Sequence, residues 1–207
     1  MNINLMPGDT VFYRNIPVFT SKVQQWVLGS DLSHSSYIAG LFDESVMELE
    51  ADIKVRIHTF LKKTNDEINP KHRQIFRYNP ELINQDIVAE VLRELRFEFE
   101  DRLYGFIQWP TIAIRTMFER LGFKNARGWN ILWGWGISCS ELLYEGEKRI
   151  WLRNFQVNRN PRLQEALFDL YHYNKDTFTP EDLRKIYYKF PMIKKDVTEG
   201  YKITLYK

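Results

Sequence analysis

The sequence predicts a segregated α+β fold, with β-prone runs in the first part of the chain and helical periodicity in the rest. Three observations carry this. Short β-prone runs bounded by turn residues fill residues 1–78. From Pro80 the apolar period lengthens, and Ile87, Val88, Val91, Leu92, Leu95 and Phe99 form one helical stripe. Helix caps and breakers then recur between the later runs. Strands first and helices second imply helices packed on one side of an antiparallel, barrel-like sheet.

Taken in order, Pro7-Gly8-Asp9 is a turn and residues 10–14 a short strand. Residues 18–28 carry Val23, Trp26 and Val27 at the spacing of a short helix, broken by Gly29-Ser30-Asp31. Residues 33–42 form a strand with His34 at its entry. Asp43-Glu44 turns the chain into a partner strand at 45–51, which makes an antiparallel hairpin. Alternation places Val46, Glu48 and Glu50 on one face of that strand and Met47, Leu49 and Ala51 on the other. Residues 55–60 and 73–78 give two more strands, separated by a polar loop.

In the helical part, the stripe from Ile87 ends near Leu103-Tyr104-Gly105. A second helix opens at Pro110 and stops at Gly122. Residues 124–136 are rich in Gly and Trp, so that residues 106–136 read as an aromatic insertion. Trp129, Trp133 and Trp135 there either pack the insertion onto the body, the commoner use of aromatic residues, or line an apolar groove. A helix follows from Cys139, another from Asn160-Pro161, and a last one from Thr179-Pro180 to about Tyr188. Residues 201–206 alternate and suggest a closing strand. No repeat or linker divides the 207 residues, which are expected to form one domain.

Composition narrows the function classes. The chain is 44% hydrophobic and 27% charged, ordinary for a globular protein. A net charge of +2 gives no electrostatic footprint for nucleic acid. One cysteine excludes an internal disulfide and suits a reducing compartment. No secretory signal is visible at the N-terminus and no apolar run approaches the roughly 20 residues of a membrane span, so the expected location is cytoplasmic.

Cys139 is where this sequence can most readily do chemistry. It opens a helical pattern (Leu142, Leu143, Gly146) with Ser138 as N-cap. A thiol at a helix N-terminus sees the positive end of the macrodipole, which favours the nucleophilic thiolate. Against this stands the more common use of a lone cysteine as a small buried apolar residue. A nucleophile also needs a base, and the base an orienting partner. Of the four histidines, His72 lies in a basic polar stretch, His172 sits between tyrosines on a helix, and His58 faces an undetermined side of its strand. His34 is the leading candidate, because its hairpin partner strand carries Glu48 and Glu50 on one face, where a carboxylate can fix the imidazole tautomer. The alternative is that both glutamates form the solvated face of an ordinary strand.

Several segments occur together in a telling order: Gly8-Asp9, Ser33-His34-Ser35-Ser36-Tyr37-Ile38-Ala39, Leu49-Glu50-Ala51 with Val55-Arg56, Leu103-Tyr104-Gly105, Ser138-Cys139-Ser140-Glu141-Leu142, and Thr179-Pro180-Glu181-Asp182-Leu183. The chain thereby resembles the circularly permuted papain-like hydrolases of the NlpC-type superfamily, in the YiiX-like branch, from Gly8 to about Leu183. The resemblance implies that the His-bearing strands precede the Cys-bearing helix. It also implies a Cys–His–polar triad acting on amides or esters by acyl transfer, with Cys139 as nucleophile, His34 as base and Glu50, rather than Glu48, as orienting residue. Tyr104 matches a tyrosine that such proteins place beside the thiol. Its hydroxyl and the Cys139 backbone N–H would stabilise the oxyanion, at roughly 3 kcal/mol per donor. The long aromatic segment between Tyr104 and Cys139 departs from the shorter connection common in that group.

The expectation is therefore a thiol hydrolase, an amidase, peptidase or esterase, that needs no metal or organic cofactor. Its substrate carries an amide or ester, with cell-wall peptides and lipids both compatible. The alternatives are a lipid acyltransferase, or a non-catalytic binding module of the same fold whose aromatic insertion docks a partner or a membrane surface.

Overall fold

The computed structural model describes residues 5–14, 22, 25, 30–42, 45–51, 55–61, 72–100, 114, 117–118, 121–123, 138–175 and 178–198. The described elements run β1 (Thr10–Arg14), β2 (Leu32–Phe42), β3 (Ser45–Ala51), β4 (Val55–Leu61), β5 (Arg73–Tyr78), α1 (Gln85–Phe99), α2 (Cys139–Asn158), α3 (Pro161–Tyr171), α4 (Pro180–Lys189) and β6 (Lys194–Asp196). All six strands join one antiparallel sheet in the order β4-β3-β2-β1-β5-β6. The fold is α+β.

Local chemistry accounts for the element bounds. Gly8 turns the chain into β1 at φ 89°, a left-handed conformation that glycine adopts without steric penalty. Asn84 caps α1 by accepting from the backbone N–H of Asp86. Thr179 and Asp182 form a reciprocal capping box at the start of α4, with Pro180 at the first helical position.

Two departures from the sequence reading stand out. Helix α1 stops at Phe99, not near Leu103–Gly105: Glu100 leaves helical backbone at φ −53°, ψ 133°, while its N–H still bonds the Arg96 carbonyl. Strand β6 was not expected, because Lys194-Lys195-Asp196 has no apolar alternation. Of the helix expected over 18–28, only Lys22 and Gln25 are described, both helical. Of the one expected from Pro110, Ile114, Met117 and Phe118 are helical. The remainder of both, Tyr104, the three insertion tryptophans and the strand expected at 201–206 lie outside the described residues.

Among the described residues, both faces of the sheet carry buried apolar side chains. Phe12, Tyr37, Leu49 and Phe76 join the main core against α1, α2, α3 and α4. Val11, Ile38 and Ile75, each next to one of these residues along its strand, form a second cluster with Val46, Leu5 and Val197. Both Glu48 (0% exposed) and Glu50 (6%) are therefore buried, which corrects the alternative of a solvated strand face.

Candidate active site

Helix α2 delivers the thiol. Ser138 is the N-cap, its side chain accepting from the Glu141 N–H at 3.1 Å, and Cys139 is the first helical residue, buried in the main core. The helix start is tied down by Ser140 Oγ, which donates to the Phe178 carbonyl at 2.6 Å.

The body of α2 docks on β2 at Tyr37, three residues from His34. Gly146 permits this approach: a Cβ there would stand 2.5 Å from the Tyr37 hydroxyl oxygen, inside any van der Waals contact. The Tyr37 hydroxyl bonds the Leu143 carbonyl at 3.1 Å and Glu147 Oε1 at 2.9 Å. One strand thus positions the histidine and also sets the depth of the helix that carries the sulfur.

Glu147 anchors a wholly buried polar knot. Tyr78 donates to its Oε2 at 2.7 Å, while Tyr187 at 2.6 Å and Lys194 Nζ at 2.9 Å reach its Oε1. The Lys194 ammonium also bonds Thr10 Oγ1 at 2.5 Å and lies 3.7 Å from the centre of the Tyr78 ring. This knot fastens the nucleophile helix to the sheet through β1, β2, β5 and β6.

The knot has a pH signature. Burial first, and then the Glu147 charge, hold the Tyr37, Tyr78 and Tyr187 hydroxyls well above the usual tyrosine range. The folded chain therefore keeps three protons that the unfolded chain gives up above about pH 10. Their stabilisation is complete below about pH 10 and is lost as the pH rises further. Lys194 has the opposite sign: burial lowers it more than Glu147 raises it, so rising pH relieves its penalty, one group against three. We expect the denaturant midpoint to fall from pH 9.5 to 11.5 and the phenolate absorbance of these tyrosines to appear only with unfolding. Ready ionisation of all tyrosines near pH 10 in the folded protein would contradict this.

The imidazole comes from β2. His34 is half-buried, and its Nε2 lies 3.0 Å from Glu50 Oε2. Glu50 lies directly opposite Ser36, so the His34–Glu50 pair is a diagonal contact across β2 and β3. The Arg56 guanidinium stands 3.6 Å from the other Glu50 oxygen. His34 also makes a side-chain hydrogen bond with Cys139. Burial alone would lower the imidazole pKa. The Cys139 charge and hydrogen bond, reinforced by those of Glu50, outweigh it and hold His34 well above its ordinary 6.5.

Sulfur, imidazole and carboxylate from residues 139, 34 and 50 are thus in one chain of contacts. With Nε2 turned to Glu50, Nδ1 is the nitrogen left for the thiol proton. Such an arrangement can hold a thiolate beside an imidazolium and pass the proton to a leaving group. Glu48 does not touch the imidazole in the same way: both its oxygens accept from the Tyr13 hydroxyl, at 2.7 and 2.8 Å, and Ser36 Oγ donates to one of them. His172 is exposed and bonds the Phe168 carbonyl through Nδ1 at 2.7 Å, within its own helix end. His72 is half-buried beside β5, its carbonyl accepting from the Arg14 N–H. The His58 side chain lies outside the described residues.

The sequence reading missed Tyr13, Ser36, Glu147 and Lys194 as contributors. Strand alternation held a partial signal, since Glu48 shares a face with Glu50. Nothing comparable marked the knot. Among the described residues, no group of three or more His, Cys, Asp or Glu could hold a metal ion, and no helix is long and apolar enough to cross a membrane. No protein-family model matches the chain, and comparison with individual characterised proteins also finds no match.

Proposed function

We propose that this chain is a thiol hydrolase of the permuted papain-like kind, acting on an amide or ester by acyl transfer. The observation that carries the proposal is the meeting of His34 with Cys139 on one side and Glu50 on the other, from three elements distant in sequence. The order of those elements, histidine strand before cysteine helix, agrees with the permuted arrangement.

In the proposed cycle, the Cys139 thiolate attacks the substrate carbonyl carbon and a C–S bond forms. The His34 imidazolium gives its proton to the departing amine or alcohol as the C–N or C–O bond breaks. Water then attacks the thioester, His34 takes a water proton, and the acid leaves as the thiol is regenerated. Glu50 holds the Nε2 proton throughout and stabilises the imidazolium. The first turn of α2 presents backbone N–H groups to the developing oxyanion. A second alcohol or amine in place of water would make the same intermediate an acyltransferase.

The test is an acid-quenched reaction with a panel of p-nitrophenyl esters and peptide p-nitroanilides, read by intact mass. We expect one acyl group per chain, mapped to Cys139, formed much faster than in His34→Ala and absent in Cys139→Ala. Equal acylation rates with and without the imidazole would overturn the proposal and leave the binding-module alternative.

A further inference from the structure

We propose that Tyr13, tethered by Glu48, is a positioning residue that holds the His34 ring against Cys139, and that this is why a carboxylate is buried at position 48. The inference rests on the thiol-hydrolase reading of the site.

Glu48 needs a reason. It is fully buried, opposite Ile38 in the β2–β3 register and thus on the face of the second apolar cluster. A carboxylate there costs several kcal/mol unless it is well satisfied, and an apolar residue would serve the fold better. Its oxygens are taken up by Tyr13 and Ser36. Both interactions hold β1 and β2 side chains in one orientation.

Tyr13 is what the tether controls. It pairs with His34 in the β1–β2 register, and its ring centre lies 5.4 Å from that of the imidazole at 45°. Hydrogen bonds at the ring edge, to Glu50 and to Cys139, direct the imidazole nitrogens but do not support the face of the ring. A tyrosine ring packed beside it supplies that support, provided the tyrosine is itself fixed. Its one hydroxyl proton, shared between the two oxygens of a buried carboxylate, fixes it. The Arg73 guanidinium, 5.7 Å from the Tyr13 ring centre, adds a further contact. The register shift between Tyr13 and Arg14 falls at this point, where the strand ladder alone guides the ring least.

The decisive variant is Tyr13→Phe with Glu48→Leu. It removes hydroxyl and carboxylate together, so no buried charge is stranded. We measure its denaturation midpoint and the second-order rate of Cys139 alkylation by iodoacetamide at pH 6 and pH 9. We expect a cooperative transition at or above the wild-type midpoint, with alkylation at pH 6 slowed on the order of tenfold and that at pH 9 little changed. Glu48→Gln, whose amide oxygen still accepts from Tyr13, should restore the rate at pH 6 to within about twofold of wild type. A folded double variant with a wild-type rate at pH 6 would show that Tyr13 merely packs. If the wild-type protein itself titrates as an ordinary thiol, the reading of the site fails instead.

Discussion

Replacing Glu147 by leucine alone is expected to destabilise the protein by about 3–5 kcal/mol, read as a lower guanidinium midpoint with an unchanged slope. Such a loss is a large share of the roughly 5–15 kcal/mol that holds a typical domain together. The cause is less the missing ion pair than what it leaves behind. Lys194 and Glu147 are both wholly inaccessible to solvent, 2.9 Å apart. Without the carboxylate, the ammonium keeps only the weaker attraction of buried Asp9, which Arg77 already pairs, and Tyr37, Tyr78 and Tyr187 lose their common acceptor. The aromatic rings around Nζ, at 3.7 Å for Tyr78 and 5.0 Å for Tyr187, return only part of this. Adding Lys194→Met should therefore recover most of the loss, because the stranded charge goes too. The coupling between the two substitutions is the signature of the pair. A cost below about 1 kcal/mol for Glu147→Leu would mean that the helix is held by apolar packing alone.

This knot also shows where sequence reasoning stops. Strands β1, β3 and β5 are legible to the residue, because turn residues punctuate their ends and β-prone side chains fill them. The start of α2 is legible for the same kind of local reason: Ser138 is a good cap and an apolar period follows. That β2 and β3 pair is legible, but the His34–Glu50 contact is only partly so: a register shift between Ile38 and Gly40, which no turn residue signals, brings Glu50 opposite Ser36 rather than Tyr37. Lys194 pairing with Glu147 is not. It joins side chains 47 positions apart through the docking depth of α2, and no local pattern encodes that depth. Nor is the burial of Glu48 and Glu50 encoded in β3 itself. It depends on side chains from other strands, Tyr13 and Ser36 at Glu48 and His34 and Arg56 at Glu50. Tyr13 reads as one more β-prone residue until β1 is laid beside β2.

The sharpest expectation concerns His34. Its replacement by alanine should slow alkylation of Cys139 at pH 6 by on the order of 100-fold, while leaving the rate above pH 9 nearly unchanged. An unassisted thiol, with a pKa of about 8.5, is roughly 0.3% thiolate at pH 6. On the proposed reading the Cys139 thiolate pairs with the His34 imidazolium, whose pKa the Cys139 and Glu50 side chains hold well above 6.5, so the reactive form is expected in acid solution. The two groups titrate as a pair, and the acid limb of the alkylation profile belongs to that pair rather than to either residue. The sign follows from the direction of the shift. The folded His34 value lies above the unfolded one, so the pairing stabilises fully below about pH 6.5 and less as the pH climbs through the folded value. His34→Ala should consequently cost more stability at pH 6 than at pH 9. Glu50→Gln gives an independent check on orientation. Its amide can donate to Nε2 and so favour the tautomer with the proton on Nδ1, the nitrogen needed as base. Reactivity at pH 6 should fall there too, although the imidazole is intact. Fast alkylation at pH 6 in His34→Ala would mean that the helix N-terminus alone activates the sulfur, and the imidazole would lose its assigned part.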